Sequence, residues 1–149
     1  MNKLSIAFLA VSLAGAACGQ ESAQKAPPSG FQTMVQDAKT RIKEMNVDQL
    51  KTLQASGEKF TLIDVREDNE WAAGHATGAV HMSKGVIERD IESKIPRKDA
   101  KLVLYCGGGS RSALAADSLM KMGYSDVFSL AGGLGAYQKA GLPTEKPQK

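Results

Sequence analysis

The sequence is poor in the side chains that hold metal ions. It contains two histidines and two cysteines in 149 residues, and one of these cysteines, Cys18, is a candidate for lipidation. The remaining ligands are too few for a zinc or iron–sulfur site. We therefore expect no metal and no other cofactor.

Charge of one sign is nowhere concentrated. The formal net charge is +3, from 19 lysines and arginines against 16 aspartates and glutamates. It falls to +2 if Lys3 leaves with a processed leader, because 18 basic residues then face 16 acidic ones. There is no basic run and no basic patch interleaved with aromatics, so we expect no nucleic-acid partner.

Internal repeats are not visible either, so we expect one module. The length suits one domain, 42% hydrophobic residues are enough for a core, and 23% charged residues indicate a soluble globular chain.

Residues 1–17 have the pattern of an export signal. An early lysine is followed by an apolar stretch from Leu4 to Leu13 and then by small residues. This stretch is shorter than the roughly 20 residues that a transmembrane helix needs, so it predicts a signal peptide and not a membrane span.

Two ways of processing this leader stay open. The small residues before Cys18 resemble a bacterial lipoprotein cleavage box, although Gly15 stands where leucine is usual, and Cys18 would then be the lipidated N-terminus. Ala14-Gly15-Ala16 would equally satisfy an ordinary leader site. Both place the mature protein in the periplasm, and we favour the first, in which a lipid anchor is the one membrane contact.

The rest of the chain divides by composition. Residues 18–30 predict a flexible tether, because they offer little to bury. Residues 31–45 predict an amphipathic helix that packs on the domain or extends the spacer. Its apolar positions recur at helical spacing and are Phe31, Met34, Val35, Ala38, Ile42 and Met45. We assign the domain to residues 46–143 and a C-terminal tail to residues 144–149.

Within the domain, short apolar strands alternate with helical patterns. Strands are predicted at residues 60–65, 79–82, 102–106 and 126–130. A short helix that carries Val47, Leu50 and Leu53 and ends at Gly57 is predicted first, followed by helices at 67–73, 85–95, 112–122 and 134–140. Asn46 or Asp48 would cap the first of these helices. The alternation predicts an α/β fold, a mostly parallel central sheet flanked by helices, with ligands beyond the carboxyl ends of the strands.

Cys106 lies at such a strand end and is followed by three glycines, Gly107, Gly108 and Gly109. Free of Cβ restrictions, these glycines can turn their amides inward as an anion cradle around the sulfur. Ser110 is predicted to cap the helix at residues 112–122, whose positive end would point at the loop. Together these features favour a thiolate, with Arg111 as a cation at the rim.

The pattern Cys106-x4-Arg111, leading into Ser112-Ala113-Leu114, resembles the active-site loop of the rhodanese, or sulfurtransferase, family. Three other stretches agree in order and spacing, and the resemblance covers about residues 46–143. These stretches are Leu62-Ile63-Asp64-Val65-Arg66-Glu67, Gly74-His75-Ala76-Thr77-Gly78-Ala79-Val80, and Ser129-Leu130-Ala131-Gly132-Gly133 with Tyr137.

The resemblance implies transfer of a sulfane sulfur from thiosulfate or a persulfide donor, through a Cys106 persulfide, to a thiol or cyanide. The amides of residues 107–112 would stabilise the negative charge, and Arg111 would hold a dianionic donor. The partners implied are small sulfur donors and thiol acceptors, while a sulfur-accepting protein stays open. Family members that use thiosulfate well often carry a cation inside the loop, and its lack here favours a persulfide donor.

Two other functions are alternatives. A persulfide carrier, sensor or interaction module would keep Cys106 with little turnover. A phosphatase or arsenate reductase of the related fold would need a loop one residue longer than the six residues from Cys106 to Arg111.

The remaining polar residues are expected to serve structure. The resemblance implies that Asp64 and Arg66 brace loops near the site through buried hydrogen bonds. His75 is expected to bond to backbone, neither it nor His81 is expected to act as a base for Cys106, and Arg89 is expected to be a solvated surface charge.

Overall fold

The computed structural model describes residues 27–147. The predicted signal peptide, Cys18 and most of the predicted tether lie outside the described residues. Among residues 27–147, no helix is both long enough and apolar enough to span a bilayer.

Six helices and seven strands make up the described part of the chain. The helices are α1 (Gly30–Lys39), α2 (Val47–Ser56), α3 (Asp68–Ala73), α4 (Ile87–Lys94), α5 (Ser110–Lys121) and α6 (Gly133–Lys139). The strands are β1 (Lys43–Met45), β2 (Thr61–Asp64), β3 (His75–Ala76), β4 (Val80–His81), β5 (Leu102–Tyr105), β6 (Val127–Leu130) and β7 (Thr144–Glu145).

Five of the strands form a parallel central sheet in the order β1-β6-β5-β2-β4. Strand β5 is the middle strand, with Leu104 aligned to Ile63 on one side and to Ser129 on the other. The predicted α/β fold with a mostly parallel sheet is confirmed. Because β5 is central, the residue that follows it sits in the middle of the sheet's carboxyl edge.

The core lies on both faces of this sheet, which is why β5 is apolar throughout. Leu102 and Leu104 pack on one face with α4 and α5, whereas Val103 and Tyr105 pack on the other with α2 and α6. Successive side chains of a strand point to opposite faces of the sheet. A strand that is covered on both faces therefore carries apolar residues at successive positions.

The helix predicted over residues 31–45 is shorter than expected. It ends at Lys39, and residues 43–45 form β1, which pairs with β6. Ile42 and Met45 fit helical spacing, but they pack on opposite faces of the sheet. The backbone bonds along β6, including Ala131 N to the Met45 carbonyl at 2.8 Å, favour the strand. The sheet therefore starts at residue 43, before the predicted domain boundary at 46.

Helix α1 packs on its own domain, as one of the two expectations had it. Val35 and Ala38 are buried. Just beyond the helix, Arg41 donates to the Asp117 carboxylate on α5 at 2.9 Å and to Asp37 at 2.8 Å. These contacts hold residues 30–41 against α5, the helix that follows the cysteine loop.

The start of the predicted tail at residues 144–149 is also structured. Thr144 and Glu145 form β7, which pairs antiparallel with β3. The amide of Gly78 donates to the Glu145 carboxylate at 2.9 Å, which adds a side-chain contact to the pairing. A two-residue strand leaves too short a pattern to be recognised in sequence.

Gly133, at the start of α6, lies directly against the cysteine loop. The amide of Leu134 donates to the Cys106 carbonyl at 2.7 Å and that of Gly135 to the Gly107 carbonyl at 3.1 Å. Gly133 has φ +54°, and a Cβ there would overlap the Cys106 carbonyl oxygen and lie 2.9 Å from the Gly107 carbonyl carbon. Only glycine permits this approach.

Replacing Gly133 by alanine should therefore destabilise the protein. We expect a loss of about 3 kcal/mol or more in the free energy of unfolding, because overpacking and left-handed backbone strain act together. Urea denaturation followed by circular dichroism measures this loss. Gly85→Ala is the control, since its Cβ meets nothing within 4 Å. Equal stability of the two variants would contradict the packing described here.

Candidate active site

The site is built where β5 ends at the carboxyl edge of the sheet. Cys106 follows Tyr105 directly, is 2% exposed and lies at the base of a loop that leads into α5. The loop residues that the sequence singled out, Gly107 to Ser112, form the loop after this buried sulfur and the first turn of α5.

The cap of α5 differs from the prediction. Ser110 is the first residue of the helix, and Gly109 is the N-cap, with φ +98° and no side-chain cap bond. A Cβ on Gly109 would lie 3.3 Å from the Gly132 amide nitrogen, so the loop favours glycine at this position. In this conformation the Gly109 amide donates to the Cys106 sulfur, 3.1 Å away.

Hydrogen bonds to the sulfur outweigh its burial. Burial raises the pKa of the Cys106 thiol. The backbone N–H groups of Ser112, Gly109 and Gly108, together with the Ser112 hydroxyl, outweigh this effect and hold the pKa below its ordinary value. Donors that bond to a charged sulfur favour the charged form. Cys106 is therefore suited to act as a thiolate nucleophile.

Gly107 and Ser110 make contacts away from the sulfur. Gly107 offers its carbonyl to the Gly135 amide at 3.1 Å. Ser110 lies at the outer end of the loop and lines a hollow of about 240 Å³ together with α1. Gly107 thus anchors the loop to α6, and Ser110 faces the side where α1 packs.

Arg111, which is expected to hold a dianionic donor, is paired with a carboxylate at the rim of the site. Its guanidinium donates to both carboxylate oxygens of Glu70 on α3, at 2.6 and 2.8 Å. The bonds from Arg111 lower the pKa of Glu70 to about 2, and those from Glu70 raise the pKa of Arg111. The pair stays ionised at any neutral pH, so the cation at the rim is matched by an anion.

Glu70 is the site residue that the sequence reasoning missed. A signal for it existed, since it lies on the helical turn that follows β2, and β2 neighbours β5 in the sheet. In the structure this placement brings the Glu70 carboxylate to the Arg111 guanidinium.

Asp64 and Arg66 do brace the surroundings of the site, as expected. The Asp64 carboxylate accepts from the Arg66 side chain at 2.7 Å and from its amide at 2.9 Å, and Arg66 donates to the Gly74 carbonyl at 2.7 Å. Both residues are buried. They join the end of β2 to the turn after α3, the helix that carries Glu70.

Neither histidine contacts the cysteine sulfur. His75 shares a hydrogen bond with the Trp71 carbonyl at 3.2 Å, as expected, and its ring stacks on the Trp71 indole. His81 stacks on the same indole and bonds to the Arg66 carbonyl at 2.9 Å. Arg89 is exposed and paired with Asp90, so it is a surface charge as expected.

Comparison with known proteins gives this geometry a context. The sequence model of the Rhodanese-like domain matches residues 46–140. A sulfurtransferase of Allochromatium vinosum is 35% identical over 107 residues, which cover 72% of this chain and 98% of that protein.

Solved structures of other proteins have a similar fold. A Rhodopseudomonas palustris protein described as a possible tyrosine phosphatase superposes with a TM-score of 0.69 at 29% identity, covering 82% of this chain and 98% of that one. The polysulfide-sulfur transferase homodimer of Wolinella succinogenes gives 0.66 at 26% identity, covering 79% and 88%.

The Glu70–Arg111 pair leads to a prediction about the thiol. Glu70→Gln removes the anion that offsets Arg111, so the uncompensated cation should lower the Cys106 pKa by about half a unit to one unit. The midpoint of the rise in thiolate reactivity then moves to lower pH. Iodoacetamide alkylation of Cys106 at a series of pH values measures this midpoint. The alkylation is read on the tryptic peptide at residues 102–111, which cleavage after Lys101 and Arg111 releases.

Glu58→Gln serves as the control, because Glu58 pairs with Lys101 at the other end of β5. An unchanged or raised alkylation midpoint in Glu70→Gln would show that the pair does not set the charge near the sulfur.

Proposed function

Since the chain belongs to the rhodanese-like domain family, we propose that it is a sulfurtransferase that moves a sulfane sulfur through a persulfide on Cys106. The observation that carries the proposal is the sulfur of Cys106 itself, buried at the end of β5 and bonded by the amide of Gly109 at 3.1 Å. A thiolate prepared in this way is a nucleophile without any neighbouring base.

The first half-reaction loads the cysteine. The Cys106 thiolate attacks the outer sulfur of the donor, a new S–S bond forms, and the donor's own S–S bond breaks. The electron pair of the broken bond leaves with sulfite if the donor is thiosulfate, or with a thiolate if the donor is a persulfide. No oxidant or reductant is required.

The second half-reaction discharges the persulfide. An acceptor thiolate or cyanide attacks the outer sulfur, and the bond to Cys106 breaks with its electron pair returning to Cys106. The Gly109 amide that bonds to the sulfur in the resting enzyme stabilises the returning thiolate, and the amides of Gly108 and Ser112 favour the same charge.

The charge balance of the site favours a persulfide donor over thiosulfate. Thiosulfate carries two negative charges. The loop cation that could hold it is Arg111, and this guanidinium already donates to both carboxylate oxygens of Glu70. A donor with one charge needs less compensation. The structural likeness to a polysulfide-sulfur transferase supports a sulfane-sulfur donor in general.

The phosphatase alternative fits the loop less well. The six residues from Cys106 to Arg111 form a loop one residue shorter than a phosphate needs, and the Arg111 guanidinium is turned to Glu70. We retain phosphate transfer as an outcome to test, because a structural relative is described as a possible tyrosine phosphatase.

Export and lipidation belong to the proposal as well. The leader pattern of residues 1–17 and the small residues before Cys18 support a periplasmic protein held at the membrane by a lipid on Cys18. Its donors and acceptors would then be sulfur compounds and thiols of the same compartment, or a sulfur-accepting protein there.

Steady-state kinetics with two donors tests the function. We expect glutathione persulfide to give a kcat/KM at least tenfold above that of thiosulfate, and Cys106→Ser to abolish turnover of both while keeping the circular dichroism of the wild type. Ser93→Ala, which changes a hydroxyl on α4, is the matched control and should keep full activity.

Three results would change the assignment. Turnover by Cys106→Ser above a few per cent would remove Cys106 from the mechanism. Formation of the Cys106 persulfide without turnover would identify a carrier. Hydrolysis of p-nitrophenyl phosphate by the wild type but not by Cys106→Ser would favour the phosphatase.

A further inference from the structure

Two buried serines lie behind the cysteine. The Ser112 hydroxyl is one of the groups that lower the pKa of Cys106, whereas the mechanism above gives the Ser129 hydroxyl no role. Ser112 is on α5 and Ser129 on β6, both have no exposed surface, and their hydroxyl oxygens are 2.9 Å apart. The Ser112 oxygen also lies 3.8 Å from the Cys106 sulfur and 3.1 Å from the Gly109 carbonyl. A chain of polar groups thus runs from β6 to the sulfur.

Ser129 is an unusual choice for its position in the fold. It stands in a strand of the central sheet, aligned with Leu104 on one side and Glu44 on the other, where an apolar residue would pack without a polar group to satisfy. In the described part of the chain, its hydroxyl makes one hydrogen bond, to the Ser112 hydroxyl. The role of the Ser129 hydroxyl is therefore this contact with Ser112.

Counting protons fixes the direction of that bond. Each hydroxyl has one proton to donate. If Ser112 donated to Ser129, its proton would be turned away from the sulfur and the buried Ser129 proton would lack an acceptor. If Ser129 donates to Ser112, both protons are used, and that of Ser112 is left for the Gly109 carbonyl or the Cys106 sulfur.

The Gly109 carbonyl does not depend on Ser112. It already accepts from the Ala113 amide at 3.2 Å. The Ser112 proton can therefore leave this carbonyl for the sulfur without leaving a buried acceptor unsatisfied.

We propose that Ser129 is a positioning residue for sulfur transfer: by donating to the Ser112 oxygen, it keeps the Ser112 proton available to the Cys106 sulfur whenever that sulfur is charged. The proposal rests on the sulfurtransferase function for its role in turnover. The arrangement of the two hydroxyls and the sulfur stands independently of it.

The step that gains most is the discharge of the persulfide. During loading the Cys106 sulfur gives up its charge as it bonds to the donor's outer sulfur. During discharge the acceptor's sulfur bonds to that outer sulfur, the bond to Cys106 breaks, and the electron pair returns to the Cys106 sulfur. A proton that turns to this sulfur stabilises the leaving thiolate.

A double-mutant cycle separates positioning from a structural role. The alkylation midpoint of Cys106, read on the peptide at residues 102–111, should rise by about half a unit to one unit in Ser129→Ala and at least as far in Ser112→Ala. Adding Ser129→Ala to Ser112→Ala should produce no further rise, because Ser129 acts through Ser112. Additive rises, or no rise in Ser129→Ala, would overturn the proposal.

Threonine and valine at the same position give a pair of equal shape. Ser129→Thr keeps the hydroxyl and should keep the wild-type midpoint, whereas Ser129→Val lacks it and should behave like Ser129→Ala. Equal midpoints for the two variants would contradict the proposal, and this comparison also covers the case in which Ser129→Ala fails to fold.

Single-turnover measurements place the effect in the reaction. With Cys106 loaded beforehand, discharge to glutathione should be about five- to tenfold slower in Ser129→Ala than in wild type, and loading should change less. A larger effect on loading would contradict the assigned step. Alkylation reports the thiolate without any sulfur transfer, so a wild type that transfers no sulfur would refute the function while the alkylation cycle still decides the role of Ser129.

Discussion

The hydrogen bonds that the loop donates to the Cys106 sulfur are the interaction on which the site depends. Burial alone would raise the pKa of this thiol, and the amides of Ser112, Gly109 and Gly108 reverse that effect. Their directions depend in turn on the left-handed backbone of Gly109 and on Gly133, which lets α6 bond to the Cys106 carbonyl. The reactivity of the Cys106 thiol therefore depends directly on the backbone geometry of the loop.

The second feature of the site is that its charges are matched before a substrate arrives. Arg111 is bound by Glu70, and Arg66 is bound by Asp64. Both pairs join the cysteine loop or the end of β2 to the segment around α3, so they position backbone and leave little free positive charge. A site of this kind relies on neutral amide donors, which suit a single charge on a thiolate or persulfide better than a dianion.

Much of this could be read from the sequence because it depends on local patterns. The strand ending at Cys106, the glycines after it and the alternation of strands with helices all follow from neighbouring residues. Glu70, the strand at residues 43–45 and the pairing of Thr144 and Glu145 with β3 depend on contacts between distant segments. Ile42 and Met45 show the limit, since helical spacing also fits two residues on opposite faces of a sheet.

The mass of the Cys106 peptide after treatment with a sulfur donor tests the central claim most directly. The intact protein is incubated with glutathione persulfide or thiosulfate, freed of excess donor and digested with trypsin under conditions that preserve persulfides. The account predicts that the peptide at residues 102–111 gains the mass of one sulfur atom and loses it when an acceptor thiol is added. A peptide that stays unmodified with both donors would contradict it.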